Sequence, residues 1–173
     1  DARELLEELM RQGADVAATS PSDASALALR IARILEPLYE DDGLWKDLVT
    51  VLRVQRAQAT GTEAIELLAR IATVEETELS AARTAFEVWL EVLRLDPAHE
   101  RARVDIARLA QALQRWPEAT AALEAAADAA PQDDVLTRAA LLGELAAYYD
   151  TQLGDRDRAI AAYRRWLEVD GSN

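Results

Sequence analysis

The sequence predicts an all-α protein of stacked antiparallel helix hairpins, and three observations carry that expectation. Half of the 173 residues are hydrophobic, much of that alanine and leucine, while aromatics make up 5% and glycine and proline together number 11. Such a mixture forms helices and lacks the β-branched and turn residues of a sheet protein. The second observation is a repeated helix ending: VWLEVLRLDP at 88–97 returns 74 residues later as AYRRWLEVDG at 162–171. The third is a small residue four before a bulky one, with a helix stop eight further on. It occurs as Ala85, Trp89, Pro97, as Ala119, Leu123, Pro131, as Ala159, Tyr163, Gly171, and more loosely as Leu48, Leu52, Thr60.

Residues four apart share one helical face. The small one admits a neighbouring helix, the bulky one fills the gap, and the Pro or Gly ends the helix and begins a turn. At the 74-residue offset the identities include Leu67/Leu141, Leu68/Leu142, Ala72/Ala146, Leu79/Leu153, Ala85/Ala159 and Asp96/Asp170. Upstream the match resumes at an offset of 71, with Leu38/Leu109 and Trp45/Trp116.

Nine helices follow in order, over about 2–13, 23–41, 45–59, 62–78, 81–95, 98–113, 117–129, 133–152 and 156–169. Ser22 and Asp155 are the expected N-caps, and Pro97 and Pro117 stand where a first-turn proline is tolerated. Pro37 falls inside the second helix, where it removes a backbone hydrogen bond and should kink it. The units ending at Pro97 and Gly171 are longer than the others, with extra residues before Leu79 and Gly154.

The spacing resembles the tetratricopeptide repeat, whose second helix carries Ala-x3-Phe and a closing Pro. Pro97 to Pro131 spans the family period of 34 residues. Leu35, Tyr39, Gly43 and Trp45 fit the first-helix pattern, while Ile106, Ala110, Gln114 and Trp116 depart from it at the Tyr and Gly positions. The resemblance covers about 23–171 and implies a right-handed superhelix. It divides the chain into hairpins at 23–60, 61–97 (long form), 98–131 and 132–173 (long form). Residues 1–22 are then expected to be the trailing helix of a truncated preceding repeat plus a linker, and the final DGSN the start of a next one.

A net charge of −13 argues against nucleic acid and against an anionic membrane surface, both of which call for clustered Lys and Arg. Any charge-steered partner should be basic. There is no cysteine and no apolar run near the roughly 18 residues of a membrane span, so membrane insertion is not expected. No signal-peptide pattern is present; a cytoplasmic placement is the expectation, with a targeting signal outside the fragment left open. Lys46 is the sole lysine among 19 basic residues, an arginine bias that points to a GC-rich, bacterial coding genome.

Nothing predicts an enzyme, a cofactor or a metal site. His99, the one histidine, sits in the turn DPAHE and is expected to be a solvated turn residue. Glu40, Asp41, Asp42 and Gly43 lack the spaced ligands and closing Glu of a calcium loop. Trp45 and Trp116 are expected to cover their own helix pairs, and Trp89 and Trp166 to lie in the core.

In tetratricopeptide arrays the first helices line a concave groove that binds peptides. By that resemblance the groove candidates are Arg33, Glu66, Arg70, Arg101, Asp105, Arg108 and Glu144, which recur at three- and four-residue spacing on their helices. The family's clamp for a peptide carboxy-terminus uses Lys, Asn and Arg; no Asn or Lys stands at these positions. The expected function is a protein-interaction scaffold that holds a peptide or protein segment. The alternative is an assembly or regulatory module acting through intramolecular or homotypic repeat stacking, with self-association.

Overall fold

The computed structural model describes residue 8 and residues 21–171. Among them are eight α-helices, one π-helical turn and no strand. They run α1 Pro21–Asp41, α2 Trp45–Gln58, α3 Gly61–Thr77, α4 Ala82–Leu95, α5 Glu100–Leu113, α6 Trp116–Ala129, α7 Val135–Tyr148 with the π-helical turn Tyr149–Leu153, and α8 Arg156–Asp170. The helix expected over 2–13 lies outside the described residues, Glu8 apart, which is helical.

Packing divides the chain into two compact units, Asp1–Ala81 and Ala82–Asn173. The boundary falls inside the expected 61–97 hairpin. In the first unit α2 packs on both α1 and α3. Its core is Ile31, Leu35, Tyr39, Leu48, Leu52, Leu68 and Ile71, all buried. In the second unit α5 packs on α4, α6 on α4 and α5, and α8 on α7, around Phe86, Trp89, Leu93, Ile106, Leu109, Leu123 and Leu141. Full burial of each such aliphatic or aromatic side chain contributes about 1.5–3 kcal/mol relative to exposure. The small residues sit where helices meet: Ala85 and Ala119 are 0% exposed and Ala159 is 3% exposed.

Left-handed residues close four of the turns. Gly43 (φ 67°) and Gln114 (φ 56°) are followed by matching bonds, Leu44 N–H to Tyr39 O at 2.8 Å and Arg115 N–H to Ala110 O at 2.9 Å. This six-to-one closure caps the orphan carbonyls of a helix end. Ser80 (φ 53°) and Gly154 (φ 63°) close turns one residue wider, Ala81 N–H to Glu75 O at 2.7 Å and Asp155 N–H to Tyr149 O at 2.8 Å. The extra residues of the two long units are taken up in these wider helix ends.

Three helix starts differ from expectation or add to it. α1 begins at Pro21, so Ser22 lies inside the helix and is not its cap. α5 begins at Glu100, which leaves Pro97 in the preceding turn, and His99 is its N-cap, with Nδ1 accepting from Ala102 N–H at 3.1 Å. The lone histidine is therefore engaged with the backbone. Asp155 caps α8 as expected, accepting from Arg158 N–H at 3.1 Å. α1 runs through Pro37 as one helix.

Candidate functional site

In the first unit, α1 and α3 are joined by side chains at constant offset. Arg33 pairs with Glu63 at 3.3 Å and Arg70 with Glu40 at 2.7 Å, each pair 30 residues apart. Equal offsets mean that the two helices run parallel and in register. Arg70 also bridges to Glu36, which accepts a second bond from the buried Gln55. Burial works against the Arg70 charge, but the hydrogen bonds and charges of Glu36 and Glu40 outweigh it and raise its pKa.

Glu66 lies between these rungs, one turn from both Glu63 and Arg70 on α3. It is exposed and makes no hydrogen bond or ion pair among the described residues. The unit thus brings Arg33, Glu66 and Arg70 to one surface. There Arg30, Arg33 and Arg70 stand with Glu36, Glu40, Glu63 and Glu66, an acidic excess of one charge. Thr73 and Thr77 share the stripe, but their hydroxyls donate to the carbonyls of Ala69 and Thr73 on their own helix.

The second unit holds the other four candidates and separates them. Asp105 accepts from Arg101 Nε at 3.4 Å and from an Arg108 terminal nitrogen at 2.7 Å, and the Arg101 guanidinium sits 5.4 Å from the Trp89 ring centroid. These three share one face of α5, together with Val104, which is 60% exposed. Glu144 does not join them. It accepts from Arg103 Nε at 3.2 Å. Arg103 is two residues from Arg101 and so about 200° around the helix. Glu144 is turned into the α5–α7 junction, where its Oε2 is buried without a hydrogen-bond partner. Burial raises its pKa against the opposing pull of Arg103, and burial together with the Glu144 charge raises that of neighbouring Tyr148.

Trp45 and Trp166 are half-buried, so Trp166 does not lie in the core as expected. Trp89 and Trp116 are buried, and Trp116 stacks on Tyr148 at 4.8 Å with its indole N–H donating to Gln111 Oε1 at 3.2 Å. Among the described residues no group of three or more His, Cys, Asp or Glu is disposed to hold a metal ion, and no helix is long and apolar enough to cross a membrane.

Sequence reasoning missed three features. Val104 was legible from its spacing, three after Arg101 and four before Arg108. Glu36 was not, because its role depends on which α3 side chain lies opposite. The third is an open groove of about 440 Å3 between α4 and α6, floored by Ala122, Ala125, Ala126 and Ala129. Its signal was the run of alanines on α6.

Solved structures of a protein named MamA align along most of the chain. One shares 16% identity over 94% of this chain and 87% of that one, with a TM-score of 0.45. A second shares 16% over 97% and 93%, also at 0.45. A structure of MamA AMB-1 shares 17% over 98% and 99%, at 0.42. No protein-family model matches the chain, and no curated protein sequence is similar to it.

Proposed function

We propose that the chain is a tetratricopeptide-type interaction module that binds a basic segment of another protein across α1 and α3, the first helices of its first two hairpins. The repeat partition 23–60, 61–97, 98–131 and 132–173 is supported by the left-handed residues that close a helix end in each interval, Gly43, Ser80, Gln114 and Gly154; Gly61, also left-handed, opens α3 instead. The observation that carries the binding reading is Glu66. A carboxylate held between two ion-pair rungs, exposed and unpaired, on a face with excess negative charge, suits a Lys or Arg of a partner. Arg33 and Arg70 serve as the frame of that surface, their charges already committed to Glu63, Glu36 and Glu40. Arg101, Asp105 and Arg108 offer a second contact surface on α5, and Val104 adds an apolar contact there. Glu144 holds α5 to α7 and is not a contact residue in this reading.

Long-range attraction from the net charge should favour basic partners and fade as salt rises. Panning a random-peptide phage library on the protein tests the reading. Selection of Lys- and Arg-rich peptides that the Glu66→Arg variant fails to retain supports it. Selection of acidic peptides, or equal retention by the variant, overturns it.

A second reading, an assembly module acting through homotypic stacking, is favoured by a separate observation. Ile160, Tyr163 and Leu167 on α8 are 50%, 40% and 60% exposed at three- and four-residue spacing. Such an exposed apolar stripe is characteristic of an interaction surface.

A further inference from the structure

Of the charges gathered on the α1–α3 surface, Arg33 and Glu63 are paired with each other, and Arg70 holds Glu36 and Glu40. Arg30 and Glu66 are left over, and they differ in sign. Arg30 lies one turn before Arg33 on α1. Like Glu66 it is exposed and makes no hydrogen bond or ion pair among the described residues. The rungs Arg33–Glu63 and Arg70–Glu40 share one offset, so Glu66 stands level with Glu36, six residues beyond Arg30. Six residues advance about 9 Å along a helix and neighbouring axes lie about 8–10 Å apart, so the two charges are rooted about 12–13 Å apart on a diagonal.

We propose that the segment received by this surface is extended and dipolar, with an acidic side chain for Arg30 and, four residues away, the basic side chain for Glu66. This rests on the binding reading above and adds to it the carboxylate, its spacing from the base, and Arg30 as the residue that recognises it. An extended chain advances about 3.3 Å per residue and turns alternate side chains to one face, so residues four apart share a face at about 13 Å. That span matches the Arg30–Glu66 diagonal. The required acid runs against the field of the molecule. A net charge of −13 disfavours a carboxylate anywhere else along the segment, so direct pairing with Arg30 is what makes one favourable. The bound segment also has one direction, because turning it end for end would set acid against Glu66 and base against Arg30.

Fluorescence anisotropy tests this with one Lys- or Arg-rich peptide selected on the protein, its own acidic residues replaced by Gln and Glu then introduced at one position at a time. The base held by Glu66 is found first, as the one whose replacement by Gln costs the wild type more than it costs Glu66→Arg. On the wild type, Glu should weaken binding along the peptide, as the net charge dictates, except four residues from that base. There it should tighten binding about threefold, within the range of an exposed ion pair. Arg30→Glu should turn that gain into a loss and gain instead from Lys at the same peptide position. Arg30 is exposed, so folding should survive the change, and circular dichroism melting checks that it does. A selected peptide that Glu66→Arg binds as tightly as the wild type does overturns the binding reading, and this inference with it. Uniform weakening along the scan overturns the inference alone and leaves Glu66 as a contact. A gain that survives in Arg30→Glu overturns it as well, as does a gain only at about seven or eight residues, the spacing of a helical segment.

Discussion

Ser80 and Gly154, 74 residues apart, hold the same left-handed backbone position, and the residue after each donates to the carbonyl six before it, at 2.7 and 2.8 Å. The internal repeat is therefore written in the backbone as well as in side chains. A non-glycine residue in this region costs about 1 kcal/mol. Ser80→Gly should gain up to about 1 kcal/mol, and Gly154→Ala should lose about 1–2 kcal/mol. Urea unfolding midpoints check both, and a stabilised Gly154→Ala would contradict the shared turn.

Ala119 is fully buried opposite the neighbouring helices, while Ala121, two residues on, is exposed. Ala119→Leu should overpack the junction at a cost of about 1–3 kcal/mol. Ala121→Leu should stay within about 0.5 kcal/mol of wild type. Equal midpoints for the two variants would contradict the packing.

Spacing alone makes Arg70 a groove candidate, and reversal of a groove charge exposed to solvent would leave folding nearly untouched. Its place between Glu36 and Glu40 changes that expectation. Arg70→Glu gathers three carboxylates and should cost about 1–2 kcal/mol, between the exposed and buried limits for an ion pair. Reversal of Arg108, half exposed beside Asp105, should cost less than about 1 kcal/mol. Thermal melts of the two variants give the comparison.

Glu144 supplies a pH dependence of known sign. Its folded pKa is raised by burial, Arg103 opposing, so the folded state holds the proton more tightly than the unfolded state. The ionised side chain therefore weakens the fold above the folded pKa, and that penalty is relieved as pH falls through it toward the ordinary glutamate range. Glu144→Gln should be neutral to stabilising at pH 7, with the difference from wild type shrinking as acid is added. A carbon-detected NMR titration should place the Glu144 carboxyl above the ordinary range. A depressed value would contradict the account.

Helix content and most boundaries were legible in the sequence because alanine and leucine mark the buried stripe and Pro or Gly marks the ends. The capping role of His99 was hidden, since it depends on one imidazole nitrogen meeting the Ala102 amide. The π-helical turn at Tyr149–Leu153 was visible only as surplus length. Within the candidate site, stripe membership on each helix could be read from spacing, as for Glu66 with Arg70 or Arg101 with Arg108. Partners could not. Which carboxylates meet Arg70, and that Glu144 meets Arg103, follow from the lateral register of neighbouring helices, which no local pattern encodes.

The central claim is that Glu66 is the contact charge of a face that receives basic segments. Its most direct test is the dissociation constant of one selected Lys- or Arg-rich peptide for wild type, Glu66→Arg and Asp133→Arg, measured by fluorescence anisotropy at fixed salt. Asp133 is exposed in the loop before α7, and its reversal alters net charge by the same amount. Losing a charge-assisted contact costs about 1.5–3 kcal/mol, a tenfold or greater weakening. The account predicts that loss for Glu66→Arg and a change of less than about threefold for Asp133→Arg, the limit set by screened long-range attraction. Equal weakening by both variants, or none by Glu66→Arg, would contradict it.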